Sequence, residues 1–517
     1  MTTLSPRTLW IVTALVIPRS VSAQGTTYEQ FQAFSGVLSH VRQNYVDSMD
    51  FGTLLQASIR GLLSSLDPHS HYVTRTEYLL RSKWNRGELA SPGVRLENSA
   101  DGVIVLSVTT AAAKAGVQPG DRLLRLNDTP LAGEGAEAVE LRLLGDKGTK
   151  IRLAFERKNA VRMDTVSMTL KREPLEQRIL SSPRLVAPRI AYLRLHEFTL
   201  LAPKELKKEI KKSRELGATQ LLLDLRGNPG GEMEALSEIA AMFLPGGTEI
   251  FHTEGRRKSL SQVAMTQTDG EFVKLPLVLL IDAGSASAAE VLAGSFQDHD
   301  RALILGRRSF GKALVQTSLP LPNADMVLLT TARIVTPSGR VIQRRYRGLR
   351  LDEYVAGAGG VGASDDTLAV YRTARGREVR GGGGILPDIV LSTPPDLPVW
   401  FAQASDSGYD AVADTVAKLL ASDPASRAAW MSDTAAWDSR LVTPFLAQVQ
   451  AGLGVNVAPT GAQRARIGLL LAERAAFERW GVETAEELSI KHDPDIHAAL
   501  AYFGRAAGLL REPNPAR

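Results

Sequence analysis

The sequence predicts a multidomain α/β protein, and three observations predict it. A chain of 517 residues exceeds what one hydrophobic core holds, since domains run to roughly 100 to 200 residues. Between Arg189 and Leu305, apolar runs of strand length alternate with stretches of helical period, the pattern of strand–helix–strand units. Short alternating strands precede that region, and from about Leu397 onward Ala, Leu and charged residues recur with a 3.6-residue period. The expected parts are N-terminal helices (24–85), a β-rich domain (86–172), an α/β core (173–396) and an all-α C-terminal appendage (397–517).

The first residues carry Arg7, an apolar core from Leu9 to Ile17, and Val21-Ser22-Ala23 before Gln24. This is the pattern of an export signal, residues 1–23, cleaved after Ala23, and its apolar run falls short of the roughly 20 residues a membrane span needs. A periplasmic or secreted bacterial protein is expected, with no stable membrane span once the signal is removed. There is no cysteine, so neither disulfides nor a thiol-linked lipid hold it. The net charge of +5 is dispersed, and basic runs such as Lys204 to Lys212 also carry Glu, which argues for a solvated helix face and against nucleic acid.

Tyr28 to Val46 places Phe31, Phe34, Leu38, Val41 and Tyr45 at helical intervals, and Leu54 to Leu66 repeats the pattern before Asp67-Pro68. His69 and His71 follow without a third ligand beside them, so a turn role is expected and no metal site. In the β-rich domain strands are expected at Val94 to Leu96, Val103 to Val108, Arg122 to Leu126 and Ile151 to Glu156, with a helix over Ala136 to Leu144.

In the α/β core, strands at Arg189 to Phe198 and Ala218 to Leu225 flank a helix from Pro203 to Leu216. Asp224-Leu-Arg-Gly-Asn-Pro-Gly-Gly then leads into a helix, Met233 to Phe243; such a Gly-rich turn can aim backbone N–H groups at an anion. It lacks the Gly-Lys-Ser ending of a phosphate loop. Leu275 to Ile281 reads as a buried strand, Asp282-Ala-Gly-Ser-Ala-Ser as a tight turn, and Ala288 to Phe296 as a helix. Ser287 therefore sits at a helix N-terminus, where unpaired N–H groups favour an oxyanion. A serine hydroxyl needs a base to attack at neutral pH. Two candidates are near: His299, on the polar stretch after the helix, where it reads as solvated, and Lys312 in Ser309-Phe-Gly-Lys, whose amine must be held neutral by burial among residues such as Phe310, Leu314 and Val315. Gln316, four residues on, falls roughly on the same face as Lys312 and can orient the amine. Beyond it, Met326 to Val335 reads as a strand, Arg344 to Ala369 as a mobile surface excursion, and Gly381-Gly-Gly-Gly as backbone passing close to other strands.

Ser285-Ala-Ser-Ala followed by Ser309-Phe-Gly-Lys and Val315-Gln resembles the C-terminal processing peptidases, or tail-specific proteases, as do Gly61-Leu-Leu-Ser-Ser-Leu-Asp-Pro-His-Ser and Gly381-Gly-Gly-Gly-Ile-Leu-Pro-Asp. Ala115-Gly-Val-Gln-Pro-Gly-Asp-Arg-Leu-Leu resembles a PDZ domain. The resemblance covers roughly Tyr28 to Leu391 and implies a crotonase-like α/β catalytic core, Ser287 as nucleophile, Lys312 as general base and Gln316 as its orienter. It also implies an oxyanion hole from the N–H of Ala288 with that of Gly230 or Gly231, and no cofactor. The implied substrates are proteins with apolar C-terminal tails, which the PDZ domain captures along Gly93, Val94 and Leu96. An adaptor protein, and homo-oligomers through the N- or C-terminal helices, are compatible with this. The family usually has a second glycine where this chain has Pro92 or its neighbour, and proline lacks an N–H; Ala289 and Ala313 stand where the family more often has Ser and Gly. Two other classes are weighed against the peptidase: a non-catalytic PDZ scaffold binding apolar ligands, which leaves Ser287, Lys312 and Gln316 without a purpose, and an ester hydrolase with the same dyad.

Overall fold

The computed structural model describes residues 26–511 apart from 100–101, 132–134, 159–162, 176, 348, 350, 358–367, 405–409 and 455–456. The expected export signal lies outside the described residues. The chain divides into two compact units, up to Ser65 and from Leu66 onward. The first holds helices α1 (Thr27–Asn44) and α2 (Phe51–Ser64). Thr26 and Glu29 exchange side-chain and backbone hydrogen bonds at the start of α1, and the Asp50 carboxylate accepts from the Thr53 N–H at the start of α2, so orphan donors at both N-termini are met.

The second unit begins with a short strand, β1 (His71–Val73), and helix α3 (Arg75–Asn85). A five-strand antiparallel path follows: β2 (Val94–Ser99), β3 (Gly102–Val108), β4 (Arg122–Leu126), β5 (Lys150–Lys158) and β6 (Met163–Lys171), paired in that order. Helix α4 (Ala136–Leu143) packs on β2, and Val94, Leu96, Val105, Val139, Leu143, Leu153 and Phe155 fill the core between them. β6 is a strand that hydropathy did not announce, because Asp164, Thr165, Ser167 and Thr169 dilute its apolar signal; pairing with β5 along its whole length makes it.

The core proper runs β7 (Arg184–Ala187), β8 (Ile190–Arg194), α5 (Ala202–Glu215), β9 (Gln220–Asp224), α6 (Met233–Ala241), β10 (Glu249–Gly255), β11 (Val263–Met265), β12 (Leu277–Ile281), α7 (Ala288–Asp298), β13 (Leu303–Gly306), β14 (Leu314–Pro320), β15 (Met326–Val335), α8 (Leu351–Ala356) and β16 (Ile389–Val390). Its main sheet has the order β7-β8-β9-β12-β13-β16, parallel from β8 to β16. A second, antiparallel sheet has the order β1-β15-β10-β11, with β14 also on β15, so residues 71–73 are stitched into the α/β core.

Both faces of the main sheet are covered, which is why its strands read as unbroken apolar runs. Leu221, Leu223, Leu277, Leu279 and Ile281 bury against Leu206, Leu236, Ile239, Val291 and Phe296 of α5–α7. Their alternates Leu222, Val278, Leu280, Leu303 and Leu305 bury against Ile496, Ala499, Phe503 and Ala506. Those last residues come from α11 and α12 in a C-terminal series that includes α9 (Gly461–Trp480), α10 (Val482–His492), α11 (Pro494–Leu500) and α12 (Phe503–Arg511). The helical appendage thus has a core of its own around Trp430, Trp437, Phe445 and Leu471, and its end is the second layer of the α/β sandwich. Among the described residues no helix is long and apolar enough to cross a membrane.

One expectation is corrected. The insertion from Arg344 to Ala369 is not wholly a surface excursion: residues 358–367 are not described, but α8 buries Tyr354 to 1% exposure. Its ring meets those of His69 and Phe310 edge-on, and Arg344 stacks on both Phe310 and Tyr354. Polar composition hid this anchor.

Because Phe503 is 3% exposed under the main sheet, Phe503→Ala is expected to destabilise the α/β core by about 3 to 5 kcal/mol, measured by urea unfolding of the whole chain.

Candidate active site

Ser287 stands between the turn after β12 and the first residue of α7, with φ of 54°. A non-glycine residue rarely holds positive φ, so the turn around it must be fixed from several sides. The Asp282 carboxylate accepts from the N–H groups of Gly227 and Gly284, at 2.8 and 2.9 Å. The Ser285 hydroxyl donates to the Leu225 carbonyl at 2.8 Å, and the Ala286 N–H donates to the Asn228 carbonyl at 2.9 Å. The turn is thereby bound to the Asp224–Gly231 loop rather than to itself alone.

That loop brings Gly230 against the tip of α7. A Cβ there would lie 2.8 Å from both the Ala288 nitrogen and the Ser287 Cβ, and the residue's φ is 97°, so only glycine fits. The Gly230 N–H donates to Asn228 Oδ1 at 2.8 Å. The N–H groups of Ala288 and Gly231 have no acceptor among the described residues. An unpaired N–H at the first turn of a helix is an anion site in waiting.

Lys312 lies just before β14, half-buried. Burial pulls its amine below the ordinary lysine range, against the pull of the Glu290 and Asp67 carboxylates. His69 is beside it: burial first, then the Lys312 charge, lowers the imidazole to about 4, and its Nε2 is 3.2 Å from the Tyr354 hydroxyl. The backbone on either side is tied down. Phe310 N–H donates to the Ser285 carbonyl at 3.0 Å, and Ala313 N–H donates to Gln343 Oε1 at 2.7 Å. Gln316 projects from β14 and its amide donates to Thr330 Oγ1 at 3.5 Å; the Thr330 hydroxyl donates in turn to Asp67 at 3.1 Å. A register shift between Val315 and Gln316 interrupts the strand alternation on which the shared face with Lys312 was expected.

The residue that sequence reasoning missed is Glu290, fully buried on α7. Its Oε2 accepts from the Ser287 N–H at 2.9 Å and the Lys312 N–H at 2.8 Å; its Oε1 accepts from the Ser309 hydroxyl at 2.5 Å and the Gly311 N–H at 2.6 Å. One carboxylate therefore joins the serine tip to the lysine loop. Burial pushes its carboxyl up to about 7, with the four donors resisting. The Ser-x-x-Glu spacing of a capping box, Ser287 to Glu290, was the available signal. Asp67 and Tyr354 were also missed, since neither neighbours Lys312 in sequence.

His299 is the other base considered. It caps the C-terminal end of α7, an 11-residue helix, which puts it about 18 Å along the axis from Ser287. It is half-buried rather than solvated, and its Nε2 donates to the Glu249 carbonyl at 2.6 Å. Of the two candidates, Lys312 alone shares a hydrogen-bond acceptor, Glu290, with Ser287.

The loop is gripped from its far side as well. The Arg226 guanidinium binds the carboxylates of Asp224, Asp493 and Asp495 at 2.6, 2.7 and 2.9 Å, and Arg307 binds Asp495 at 2.6 Å. Asp493 and Asp495 begin α11, so the C-terminal helices touch the Gly230 loop through charge as well as the sheet through apolar contact.

Glu290→Gln puts an amide NH2 against two donors. It is expected to cost about 2 to 4 kcal/mol of stability, read by denaturant unfolding, and to lower the cleavage rate most above about pH 7, where the native carboxylate is ionised.

Known proteins resemble this chain in sequence. The model of peptidase family S41 matches residues 189–355, and that of the PDZ domain matches residues 92–170. The carboxy-terminal-processing protease of Bartonella bacilliformis is 33% identical over 340 residues, 64% of this chain and 76% of that protein. The carboxyl-terminal-processing protease of a Picosynechococcus species is 30% identical over 296 residues, 56% of this chain and 70% of that protein. Among solved structures, the photosystem II D1 C-terminal processing protease aligns over 65% of this chain and 99% of its own, with 23% identity and a TM-score of 0.35. The chain belongs to peptidase family S41 and is a serine-type endopeptidase of the carboxy-terminal processing group.

Proposed function

We propose that the chain is an exported endopeptidase that cleaves proteins near their C-termini, with Ser287 as nucleophile and Lys312 as general base. The observation that carries this reading is the pair of hydrogen bonds that Glu290 Oε2 accepts from the N–H groups of Ser287 and Lys312. They hold the two side chains' backbones to one atom, although 24 residues of helix, strand and loop lie between them. Export is supported by the Arg7, Leu9 to Ile17 and Ala23 pattern.

Lys312, neutral at rest, takes the Ser287 hydroxyl proton as Oγ attacks the scissile carbonyl carbon. The oxyanion rests on the N–H of Ala288 and, of the glycine pair, on Gly231, since the Gly230 N–H is committed to Asn228. Protonated Lys312 gives its proton to the leaving amine, the C–N bond breaks, and an acyl-enzyme remains on Ser287. Water then repeats the cycle with Lys312 again as base, restoring the serine. Gln316, braced through Thr330 on Asp67, is the orienting residue assigned to the amine. The PDZ domain presents β2, an edge strand, for an apolar tail to pair with, near Gly93, Val94 and Leu96.

Ser287→Ala is expected to reduce fragment formation from an unstructured protein by on the order of 10⁴-fold or more, and Lys312→Ala to do the same; cleavage unchanged in either variant excludes the dyad. The base must be uncharged and Glu290 must be ionised to accept four donors. Both conditions fail as pH falls, so kcat/KM is expected to drop below about pH 7 and to climb on the alkaline side until the lowered Lys312 pKa is passed. Amidating the substrate's C-terminus is expected to raise KM about fivefold with kcat little changed, measured by steady-state cleavage of matched peptides; equal KM values remove carboxylate capture.

A further inference from the structure

Beta-augmentation needs an edge strand whose outward N–H and C=O groups are free to pair with an incoming segment. β2 is such an edge by its place in the sheet, yet its groove is already occupied from within. The Leu96 N–H, which points outward toward α4, donates to the carboxylate Oε1 of Glu140 at 2.7 Å. The same carboxylate lies 3.5 Å from the Arg95 guanidinium, with the Glu140 side chain 27% exposed and that of Arg95 74% exposed. A charge-assisted bond of this length is among the stronger ones a side chain makes to backbone. At the mouth of the groove the Gly93 N–H donates to the Ser91 hydroxyl at 3.1 Å. Two donors that a peptide tail would use are thus satisfied by the domain's own side chains.

We propose that Glu140 is a built-in competitor for the groove, and that the tails best able to displace it carry Lys or Arg two residues before their C-terminal residue. This rests on the reading of the PDZ domain as the tail-binding module. The position follows from strand geometry. With the terminal carboxylate at Gly93 and Val94, outward-facing backbone recurs every second residue, so Leu96 pairs with the tail residue two from the end. A side chain there points into the space between β2 and α4. When Glu140 swings off the Leu96 N–H it stays on α4, one helical turn from the exposed Glu137, and its carboxylate then faces that side chain. A cationic group there takes the place of Arg95 as its partner. An acidic group meets like charge, and an apolar one leaves a half-buried carboxylate with neither N–H nor cation.

The test is fluorescence anisotropy with the full chain carrying Ser287→Ala, so that peptides are bound and not cut. Three otherwise identical labelled tails carry Lys, Leu or Glu two residues before the end. The Lys tail is expected to bind about fivefold more tightly than the Glu tail, the size of a partly exposed ion pair. Adding Glu140→Ala is expected to erase that ranking and to tighten the Leu tail about threefold. Glu140→Gln, which keeps an acceptor for the Leu96 N–H without the charge, is expected to erase the ranking with no gain for the Leu tail. Equal affinities of the three tails, tighter binding of the Glu tail, or a ranking that survives Glu140→Ala overturns the role given to Glu140 while tail capture stands. Failure of every tail to bind, with or without Glu140, overturns tail capture itself.

Discussion

The site depends on one buried carboxylate accepting four hydrogen bonds. Taking Glu290 out of water is costly, and only a full set of donors offsets that cost. Those donors come from Ser287, Ser309, Gly311 and Lys312, so the backbones of Ser287 and Lys312 hang from one support. Neither segment is regular structure: one is a turn with a positive-φ serine, the other a loop around Gly311, whose φ is 91°. Without a shared acceptor each would have several conformations, and catalysis by positioning tolerates little error. The raised pKa of Glu290 is the counterpart of this arrangement, since a group that must be both ionised and dry has a narrow margin.

Around that support the fold places rigid elements. β12 delivers Ser287, β9 delivers the Gly230 loop, and both end at the same edge of the parallel sheet, where ligands of open α/β sheets lie. The second sheet brings in residues from far along the chain. β1 pairs with β15, and the turn before it sets Asp67 and His69 beside Lys312. The Asp-Pro-His-Ser phrase after α2 is therefore part of the lysine's surroundings. Its aspartate accepts from the N–H groups of His69 and Ser70 and from Thr330 of β15, the strand against which Gln316 of β14 is paired.

Much of this was legible in the sequence because local pattern and burial agree. Leu277 to Ile281 is covered on both faces and reads as a continuous apolar run; Ser287 follows a small-residue turn, and the glycine pair follows a second buried strand. What was not legible is what depends on distant partners. β6 owes its existence to β5, not to its own composition. Tyr354 is buried by contacts with His69 and Phe310 that polar neighbours disguise. Glu290 looked like an ordinary residue of a helix's first turn, because its other three donors lie about twenty residues downstream. The shared face expected for Lys312 and Gln316 assumed regular alternation, and the irregularity at Val315 is set by pairing with β15. The helical tail showed its period but not its face, since a stripe of Ile496, Ala499 and Phe503 cannot name the surface it covers.

The grip of Arg226 on Asp493 and Asp495 carries a consequence for how the molecule is made. The partners in the Arg226–Asp493 pair are separated by 267 positions, and the α11 and α12 face that seats them closes the sheet only once those helices exist. Loop closure over such a separation is a late step in folding. A ribosome-bound chain has the serine, the lysine and the glycines, with Asp224 and Asp282 beside them, but not Asp493 and Asp495, which grip the loop from its far side. Full bracing of the glycine loop thereby waits on residues made long after the serine and the lysine, an ordering written into the chain.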